Sequence, residues 1–331
     1  MAGLPLITGA TGFAGGHLLD RLVGQGKSVH AWGHAGLPRR SSDPSTEARS
    51  AKVKGAEAGD AKAEAVTWTA VDLLDRAAVR DAIVAARPSV IYHCAGIAAL
   101  QDAWRSPARA LRVNVLGTHN LIEAVRDAGL SCGVLVTGSA EIYRPSMNAI
   151  DEDDPIGPTS PYGVSKLAQE MTAAADADLS TWLVRPFKHA GPRQSAAFVT
   201  SAFAQQIAEI EAGRREPVVC VGNLDAQRDI TDVRDTVRAY QAIAEAGRPG
   251  RPYNVCSGRA YSMRSLLDTL LSLARVTVRV EVDPARLRPS DNPMILGSHA
   301  RLTADTGWTP VIPIEQTLAD LLDHWRRASA A

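Results

Sequence analysis

The chain has 331 residues, enough for two domains' worth of core, and its 45% apolar and 22% charged content is ordinary for a globular protein. Lys and Arg together number 36, as do Asp and Glu, so the formal net charge is zero. A chain without a positive excess is a poor candidate for general nucleic-acid binding.

No apolar run reaches the length that a membrane span needs. Met1–Thr8 has no positive segment ahead of its apolar residues, so no signal peptide is predicted. The cysteines Cys94, Cys132, Cys220 and Cys256 lack CxxC spacing, which favours buried reduced thiols over a zinc site. We therefore expect a cytoplasmic protein without a metal ion.

The first half of the chain alternates short apolar runs with amphipathic stretches. The predicted strands are Leu4–Thr8, Ser28–Gly33, Val66–Val71, Ser89–Cys94, Cys132–Thr137 and Thr181–Arg185. The predicted helices between them are Ala14–Gly24, Arg76–Ala86, Ala108–Ala128 and Pro161–Ala177. This alternation predicts an α/β fold of the Rossmann type, with a doubly wound parallel sheet and helices on both faces.

Residues 36–64 interrupt the alternation, because they contain almost no large apolar residue; we expect an exposed, mobile insertion. After about Pro186, loops rich in Gly, Pro and Arg separate the elements. The predicted helices there are Phe198–Glu211, Val233–Ala246, Met263–Ala274 and Ile314–Arg326, and the strands are Pro217–Val221, Tyr253–Val255 and Thr277–Val282. We predict a Rossmann domain over 1–186, to which later strands return, and a smaller α+β portion over 187–331.

The first predicted strand runs into a glycine-rich turn and then a helix. Gly9, Gly12 and Gly15 have GxxGxxG spacing. Gly9 permits a tight turn, Gly12 lets the backbone approach a pyrophosphate, and Gly15 lets the helix pack closely on the strand. The helix N-terminus offers free N–H groups to the phosphates. The turn predicts a dinucleotide site, and its other contact residues are Thr11, Phe13 and Ala14.

The identity of the dinucleotide depends on the end of the second strand. NAD sites usually carry an acidic residue there for the ribose 2′-OH, but this strand ends in Gly33-His34. His34, Arg39 and Arg40 could instead face a 2′-phosphate. NADP(H) is therefore favoured over NAD(H), although both arginines could be surface charges of the insertion.

Further cofactor contacts are predicted where other strands end. Asp72 and Leu73 follow the third strand, near the expected adenine, and Ala95 and Gly96 follow the fourth, where small residues leave room for the cofactor. Asn114 is also assigned to the cofactor site.

The catalytic prediction begins at Ser139, which follows the fifth strand. Ser160 is a good N-cap and Pro161 a good first helical residue, so Tyr162 and Lys166 share one face of a helix that starts there. A phenol has a pKa of about 10, and a nearby ammonium makes its proton easier to transfer. Ser139 can hydrogen-bond the reacting oxygen. Together with the glycine-rich turn, this set predicts hydride transfer at a carbinol or carbonyl carbon.

These features resemble the extended short-chain dehydrogenase/reductase family along nearly the whole chain. Within it, the chain is most similar to the GDP-4-dehydro-6-deoxy-D-mannose reductases, and GDP-mannose 4,6-dehydratases share several patterns. The segments that carry the resemblance are SPYGVSKLAQE (160–170), FVTSAFAQQIAEIEAG (198–213), VGNLDAQRDITDVRD (221–235), YNVCSG (253–258), RLRPSDNP (286–293) and TGWTP (306–310).

The resemblance implies that Ser139, Tyr162 and Lys166 form the catalytic set, with Lys166 also holding the nicotinamide ribose. It implies reduction of the C4 ketone of GDP-4-dehydro-6-deoxy-D-mannose to GDP-D-rhamnose by NADPH or NADH. Glu141 stands where 4,6-dehydratases place a general base, but reductases can also carry Glu there. The dehydratase loop carries Gln-Asp where this chain has Phe13-Ala14, which favours the reductase.

The alternatives are a GDP-mannose 4,6-dehydratase or a nucleotide-sugar 4-epimerase with tightly bound cofactor, and a non-catalytic dinucleotide sensor. The presence of both Tyr162 and Lys166 argues against the sensor. The resemblance also implies a homodimer, formed through helices at about 103–128 and 161–177.

The resemblance further assigns residues 187–331 mainly to the nucleotide sugar. It implies that Arg228 and Arg288 face the nucleotide and diphosphate, because a guanidinium binds phosphate bidentately; a structural salt bridge is the alternative. Phe198 and Val199 would lie near the base.

Two positions depart from the family pattern. Lys188 replaces the usual Asn and could either bind a phosphate or mark a changed substrate, and Arg193 stands where the family tends to have a small residue.

Overall fold

The computed structural model describes residues 3–34, 65–176, 178–286 and 292–330. The predicted insertion 36–64, with Arg39 and Arg40, lies outside the described residues, as does Arg288. Within the described ranges, no helix is both long and apolar enough to span a membrane.

Seven parallel strands form the main sheet. They are β1 (Leu6–Thr8), β2 (Val29–Gly33), β3 (Val66–Ala70), β4 (Val90–His93), β5 (Gly133–Thr137), β6 (Thr181–Pro186) and β10 (Pro252–Val255). Their order is β3-β2-β1-β4-β5-β6-β10. The first six follow the Rossmann order, so the predicted fold class is confirmed. The seventh strand comes from the second half of the chain.

Helices cover both faces of this sheet. The helices are α1 (Phe13–Gly24), α2 (Arg76–Ala86), α3 (Leu100–Arg105), α4 (Pro107–Leu111), α5 (Gly117–Asp127), α6 (Pro161–Ala174), α7 (Val199–Glu211), α8 (Val233–Ala246), α9 (Met263–Ser272), α10 (Ala300–Thr306) and α11 (Ile314–Ala330). One face buries apolar residues of α1, α8 and α10, and the other buries those of α2 and α5. Because both faces are covered, every residue of β5 is buried.

A second core lies outside the main sheet. Apolar residues of α7, α9 and α11 pack there against two small sheets. The strands of those sheets are β7 (Lys188–Ala190), β8 (Val218–Val221), β9 (Gln227–Asp232), β11 (Ala260–Ser262), β12 (Arg279–Val282) and β13 (Met294–Ile295). β9 pairs with β7, β11 and β13, and β8 pairs with β12.

Several elements differ from the sequence prediction, and the helices α3 and α10 and the short strands β7, β11 and β13 were not predicted. The helix predicted at 108–128 is interrupted by a π-helical turn at Arg112–Leu116, which leaves α4 before it and α5 after it. The strand β9 was not predicted, because it reads Gln-Arg-Asp-Ile-Thr-Asp and lacks an apolar run. It is nevertheless buried over its last four residues. Asp229, for example, accepts hydrogen bonds from the backbone N–H groups of Ser257, Gly258 and Gly297.

Candidate active site

The glycine-rich turn between β1 and α1 is a backbone cradle. Gly9 has φ +69°, and a Cβ placed there would lie 2.7 Å from the backbone nitrogen of Ala95. A Cβ on Gly15 would collide with the carbonyl oxygen of Gly9. Gly12 is the N-cap of α1, whose first turn contains no acidic side chain. The cradle sits between β1 and β4, where the strand order reverses, so it fits the pyrophosphate of a dinucleotide.

Other predicted cofactor residues follow β2 and β3 at the same edge of the sheet. Thr11 lies against the end of β2, since a Cβ on Gly33 would be 3.0 Å from its Cγ2 atom. His34 is exposed directly after that strand. After β3, Asp72 is exposed and Leu73 is buried.

Ala95, Gly96 and Asn114 meet beside Lys166. A Cβ on Gly96 would lie 2.8 Å from Oδ1 of Asn114 and 3.5 Å from Nζ of Lys166. Asn114 belongs to the π-helical turn and is fully buried, and its amide donates to Oγ of Ser165 at 2.9 Å. These positions therefore lie next to the predicted catalytic lysine.

The start of α1 also contacts β7 and the residues that follow it. The Phe13 ring stacks on the His189 ring, with centroids 5.6 Å apart and planes 10° from parallel. Ala14 is half-buried beside it. Arg193, with φ +73°, forms an ion pair with Asp20 of α1 at 2.6 Å. Arg193 thus joins α1 to the second half of the chain.

The predicted catalytic residues lie close together at the carboxyl end of β5. Ser160 caps α6 by accepting from the backbone N–H of Gly163 at 3.0 Å. Tyr162 and Lys166 are both buried on that helix, and the side chain of Ser139 lies near enough to the Tyr162 phenol to lower its pKa. Burial raises the pKa of Tyr162 to about 12, against the lowering effect of Ser139. Burial lowers the pKa of Lys166 to about 8.

Lys166 is surrounded by neutral hydrogen-bonding groups. Its Nζ donates to the carbonyl oxygen of Thr137 at 2.9 Å and to Oε1 of Gln169 at 2.8 Å. The Gln169 amide donates to Oγ1 of Thr118 at 2.9 Å, and His93 Nε2 lies 2.8 Å from the same oxygen. Burial and the nearby Lys166 charge lower the pKa of His93 to about 3, so His93 is a neutral member of the network.

A second, charged group of residues adjoins Tyr162. Lys188 Nζ donates to Oε1 of Glu141 at 2.6 Å. The Lys188 ammonium holds the pKa of Glu141 below its usual value, against the effect of burial, and Arg228 adds to the lowering. Parallel pairing of β7 with β9 sets Lys188 opposite Ile230, two residues beyond Arg228. The pairing therefore brings the cationic side chains to one carboxylate.

The remaining predicted substrate residues lie outside that group of contacts. Phe198, the half-buried N-cap of α7, and the exposed Val199 begin that helix.

Two features of the site were not predicted from the sequence. Gln169 carries a signal that could have been used, because it lies three residues after Lys166 and therefore near its face of the helix. The contact between Glu141 and Lys188 carries none, because 47 residues separate them.

Comparisons with known proteins show the family to which the chain is related. The family described as GDP-mannose 4,6 dehydratase matches residues 6–321. The GDP-6-deoxy-D-mannose reductase of Pseudomonas aeruginosa (strain PAO1) is 38% identical over 244 residues, which cover 72% of this chain and 80% of the relative.

Two solved structures are also similar. RMD from Pseudomonas aeruginosa complexed with NADPH is 30% identical, with a TM-score of 0.79 over 98% of this chain and 99% of that one. The UDP-glucose 4-epimerase of Thermus thermophilus, in complex with NAD, is 25% identical, with a TM-score of 0.81 over 98% of this chain and 99% of that one.

Proposed function

Because the chain belongs to the GDP-mannose 4,6-dehydratase family of NAD(P)-dependent nucleotide-sugar enzymes, we propose that it reduces the C4 ketone of GDP-4-dehydro-6-deoxy-D-mannose to give GDP-D-rhamnose. The 38% identical relative is a reductase by name. The contacts around Tyr162 and Glu141 support the same reaction.

The reaction needs a hydride donor, a proton donor and a group that orients the ketone. A reduced nicotinamide, whose dinucleotide the cradle of Gly9, Gly12 and Gly15 would hold, would supply the hydride. Tyr162 gives its phenolic proton to the oxygen that becomes the alcohol, and Lys166 stabilises the phenolate left behind. Ser139, whose side chain lies near the phenol, orients the ketone oxygen. The phenolate regains its proton from solvent before the next turnover.

The ion pair between Lys188 and Glu141 is the observation that favours a reductase over a dehydratase. In a 4,6-dehydratase a carboxylate at the position of Glu141 would remove the C5 proton. Here Lys188 occupies one carboxylate oxygen at 2.6 Å and lowers the pKa of Glu141. A carboxylate with a lowered pKa is a weaker base, so proton removal from C5 is disfavoured. Dehydration or epimerisation with tightly bound cofactor is the alternative, supported by the presence of Glu141 beside Tyr162.

The substrate is assigned to the cationic side of the site and to residues 187–331. Arg228 is half-buried near Glu141, and we assign it to the diphosphate together with Arg288. Lys188 lies at the same place with 37% of its side chain exposed, so it can contact the substrate while paired. Phe198 and Val199 are assigned to the guanine.

NADP(H) is the proposed cofactor, with NAD(H) as the alternative. The cradle of Gly9, Gly12 and Gly15 fits either dinucleotide. β2 ends at Gly33 and is followed by His34, without an acidic residue, which favours a 2′-phosphate over a free ribose hydroxyl. RMD from Pseudomonas aeruginosa binds NADPH, whereas the Thermus thermophilus epimerase binds NAD.

A homodimer is proposed through α3, α4 and α6. Trp104, Leu111, Val164 and Met171 are apolar but between 41% and 64% exposed on these helices. Such a stripe is typical of a protein–protein contact, and a second copy is the proposed occupant. The replacements Trp104→Glu and Met171→Glu together should yield a monomer by light scattering; an unchanged mass would contradict this assignment.

The test of the proposed function is cofactor absorbance with GDP-4-dehydro-6-deoxy-D-mannose and either NADPH or NADH. We expect stoichiometric oxidation, formation of GDP-D-rhamnose, and faster turnover with NADPH. Absence of oxidation, with cofactor co-purifying on the protein, would replace the proposal by the dehydratase or epimerase reaction.

A further inference from the structure

The ammonium of Lys166 is buried among neutral acceptors. Lys166 has 4% of its surface exposed, and two of its contacts are the carbonyl oxygen of Thr137 at 2.9 Å and Oε1 of Gln169 at 2.8 Å. Gln169 itself is fully buried. A buried cation is costly unless dipoles or a counter-charge compensate it, so these two oxygens determine how well the site holds the charge.

A hydrogen bond to Thr118 fixes the orientation of the Gln169 amide. Its Nε2 donates to Oγ1 of Thr118 at 2.9 Å, and that hydroxyl donates in turn to the carbonyl oxygen of Asn114 at 2.6 Å. The Thr118 oxygen is therefore an acceptor towards Gln169. A flipped amide would place two donors against the ammonium, so the network keeps Oε1 directed at Lys166.

The titratable groups around Lys166 supply little counter-charge. His93 and Cys94, on and just after β4, are neutral near physiological pH, since burial lowers the pKa of His93 to about 3 and raises that of Cys94 to about 12. Tyr162 is on the same helix as Lys166. Glu170, the next residue after Gln169, forms an ion pair with Arg185 at 2.6 Å.

We propose that Gln169 is a positioning residue for the reaction: its side-chain oxygen holds the Lys166 ammonium charged and in place for Tyr162. This proposal depends on the proposed reductase function only in the experiments that measure turnover. The oxygen that Thr137 contributes belongs to the backbone, so no substitution removes it. Of the two acceptors, the Gln169 oxygen is therefore the one that a substitution can change.

The test replaces Gln169 in two opposite directions. Gln169→Leu removes the acceptor, and Gln169→Glu places a carboxylate at nearly the same position and volume. We expect the pKa of Lys166 to fall by about one unit in the first variant and to rise by about one unit in the second. The alkaline limb of kcat against pH should move in the same two directions, with a KM for the GDP-sugar that changes less than kcat.

The direct readout is NMR titration of ¹³C-lysine-labelled enzyme, with the Lys166 signal assigned from its loss in Lys166→Met. Gln206→Leu is the matched control, because Gln206 is also buried and also uses its amide, but on Ala202 and Cys220. That control should leave the Lys166 pKa unchanged. Shifts in the same direction, or no shift, in the two Gln169 variants would overturn the proposal. The titration needs no substrate, so it can succeed even if the reductase assignment fails.

Discussion

The positive charges of Lys166 and Lys188 are stabilised by different kinds of chemical group. Lys166 is buried and contacts the neutral oxygens of Thr137 and Gln169, and burial lowers its pKa to about 8. Lys188 is 37% exposed and contacts the carboxylate of Glu141. The first arrangement leaves the charge sensitive to small changes in its neighbours. The second fixes the charge by occupying a carboxylate that could otherwise act as a base.

Tyr162 is where the two arrangements meet, so its replacement should have the largest effect. Tyr162→Phe removes the proton donor, and we expect kcat to fall about 10³-fold. The Kd for NADPH, measured by fluorescence titration, should stay within about threefold, because the cradle is backbone. Retained turnover in this variant would rule out the proposed mechanism.

The Lys188 arrangement can be broken by Lys188→Met. Without the ammonium, burial should dominate and the pKa of Glu141 should rise, making it a stronger base. We expect kcat/KM for reduction to fall about tenfold. The substrate's C5 proton should begin to exchange in D2O, as measured by ¹H NMR.

The control for that exchange is the double variant Lys188→Met with Glu141→Gln, which should not exchange. If Lys188→Met reduces the substrate normally and shows no exchange, the ion pair does not decide between the two reactions.

The close packing of the glycine-rich cradle can be tested by substituting two glycines of α1. Gly15→Ala places a Cβ against the carbonyl oxygen of Gly9, whereas a Cβ on Gly24 has no atom within 4 Å. We expect Gly15→Ala to lower stability by about 1–3 kcal/mol and to weaken NADPH binding. Gly24→Ala should be neutral or stabilising by up to about 1 kcal/mol. Urea unfolding with and without NADPH measures both, and equal effects of the two changes would contradict the close approach.

The remaining prediction concerns the pH dependence of stability that His93 contributes. Its folded pKa of about 3 lies below the ordinary value of 6.5, so between these values the unfolded chain binds a proton that the folded protein does not. The contribution to stability is full above pH 6.5 and is lost on acidification towards pH 3, at about 1.4 kcal/mol per pH unit. His93→Asn should remove this part of the slope in urea unfolding between pH 6.5 and about pH 4.5. An unchanged slope would show that His93 is not buried in its neutral form.

Local sequence patterns predicted the parts of the molecule whose conformation depends on residues close together in the chain. The glycine turn before α1 and the Tyr162–Lys166 pair each occupy one short segment, and a backbone constraint or a helical repeat places them. The alternation of strands and helices likewise predicted the main sheet.

Contacts between distant segments could not be predicted in this way. Lys188 meets Glu141 because β6, which leads into β7, lies beside β5, which leads to Glu141. The strand β9 gave no strand signal, since buried hydrogen bonds satisfy its polar residues. The sequence shows that Lys188 is unusual, but its partner depends on the tertiary fold. The π-helical turn was not predicted for a different reason: its residues continue the apolar pattern of an α-helix.

That turn at Arg112–Leu116 has a further consequence, for insertions and deletions. A π-helical turn accommodates one residue more than an α-helical turn, and each residue of an α-helix advances its faces by about 100°. Because the turn already holds the extra residue, deleting one residue there would restore a regular helix with little rotation of α4 relative to α5. The turn is therefore a place where this segment can lose one residue without reorienting its flanking helices, whereas a deletion within α5 would rotate the residues on one side of it by about 100°.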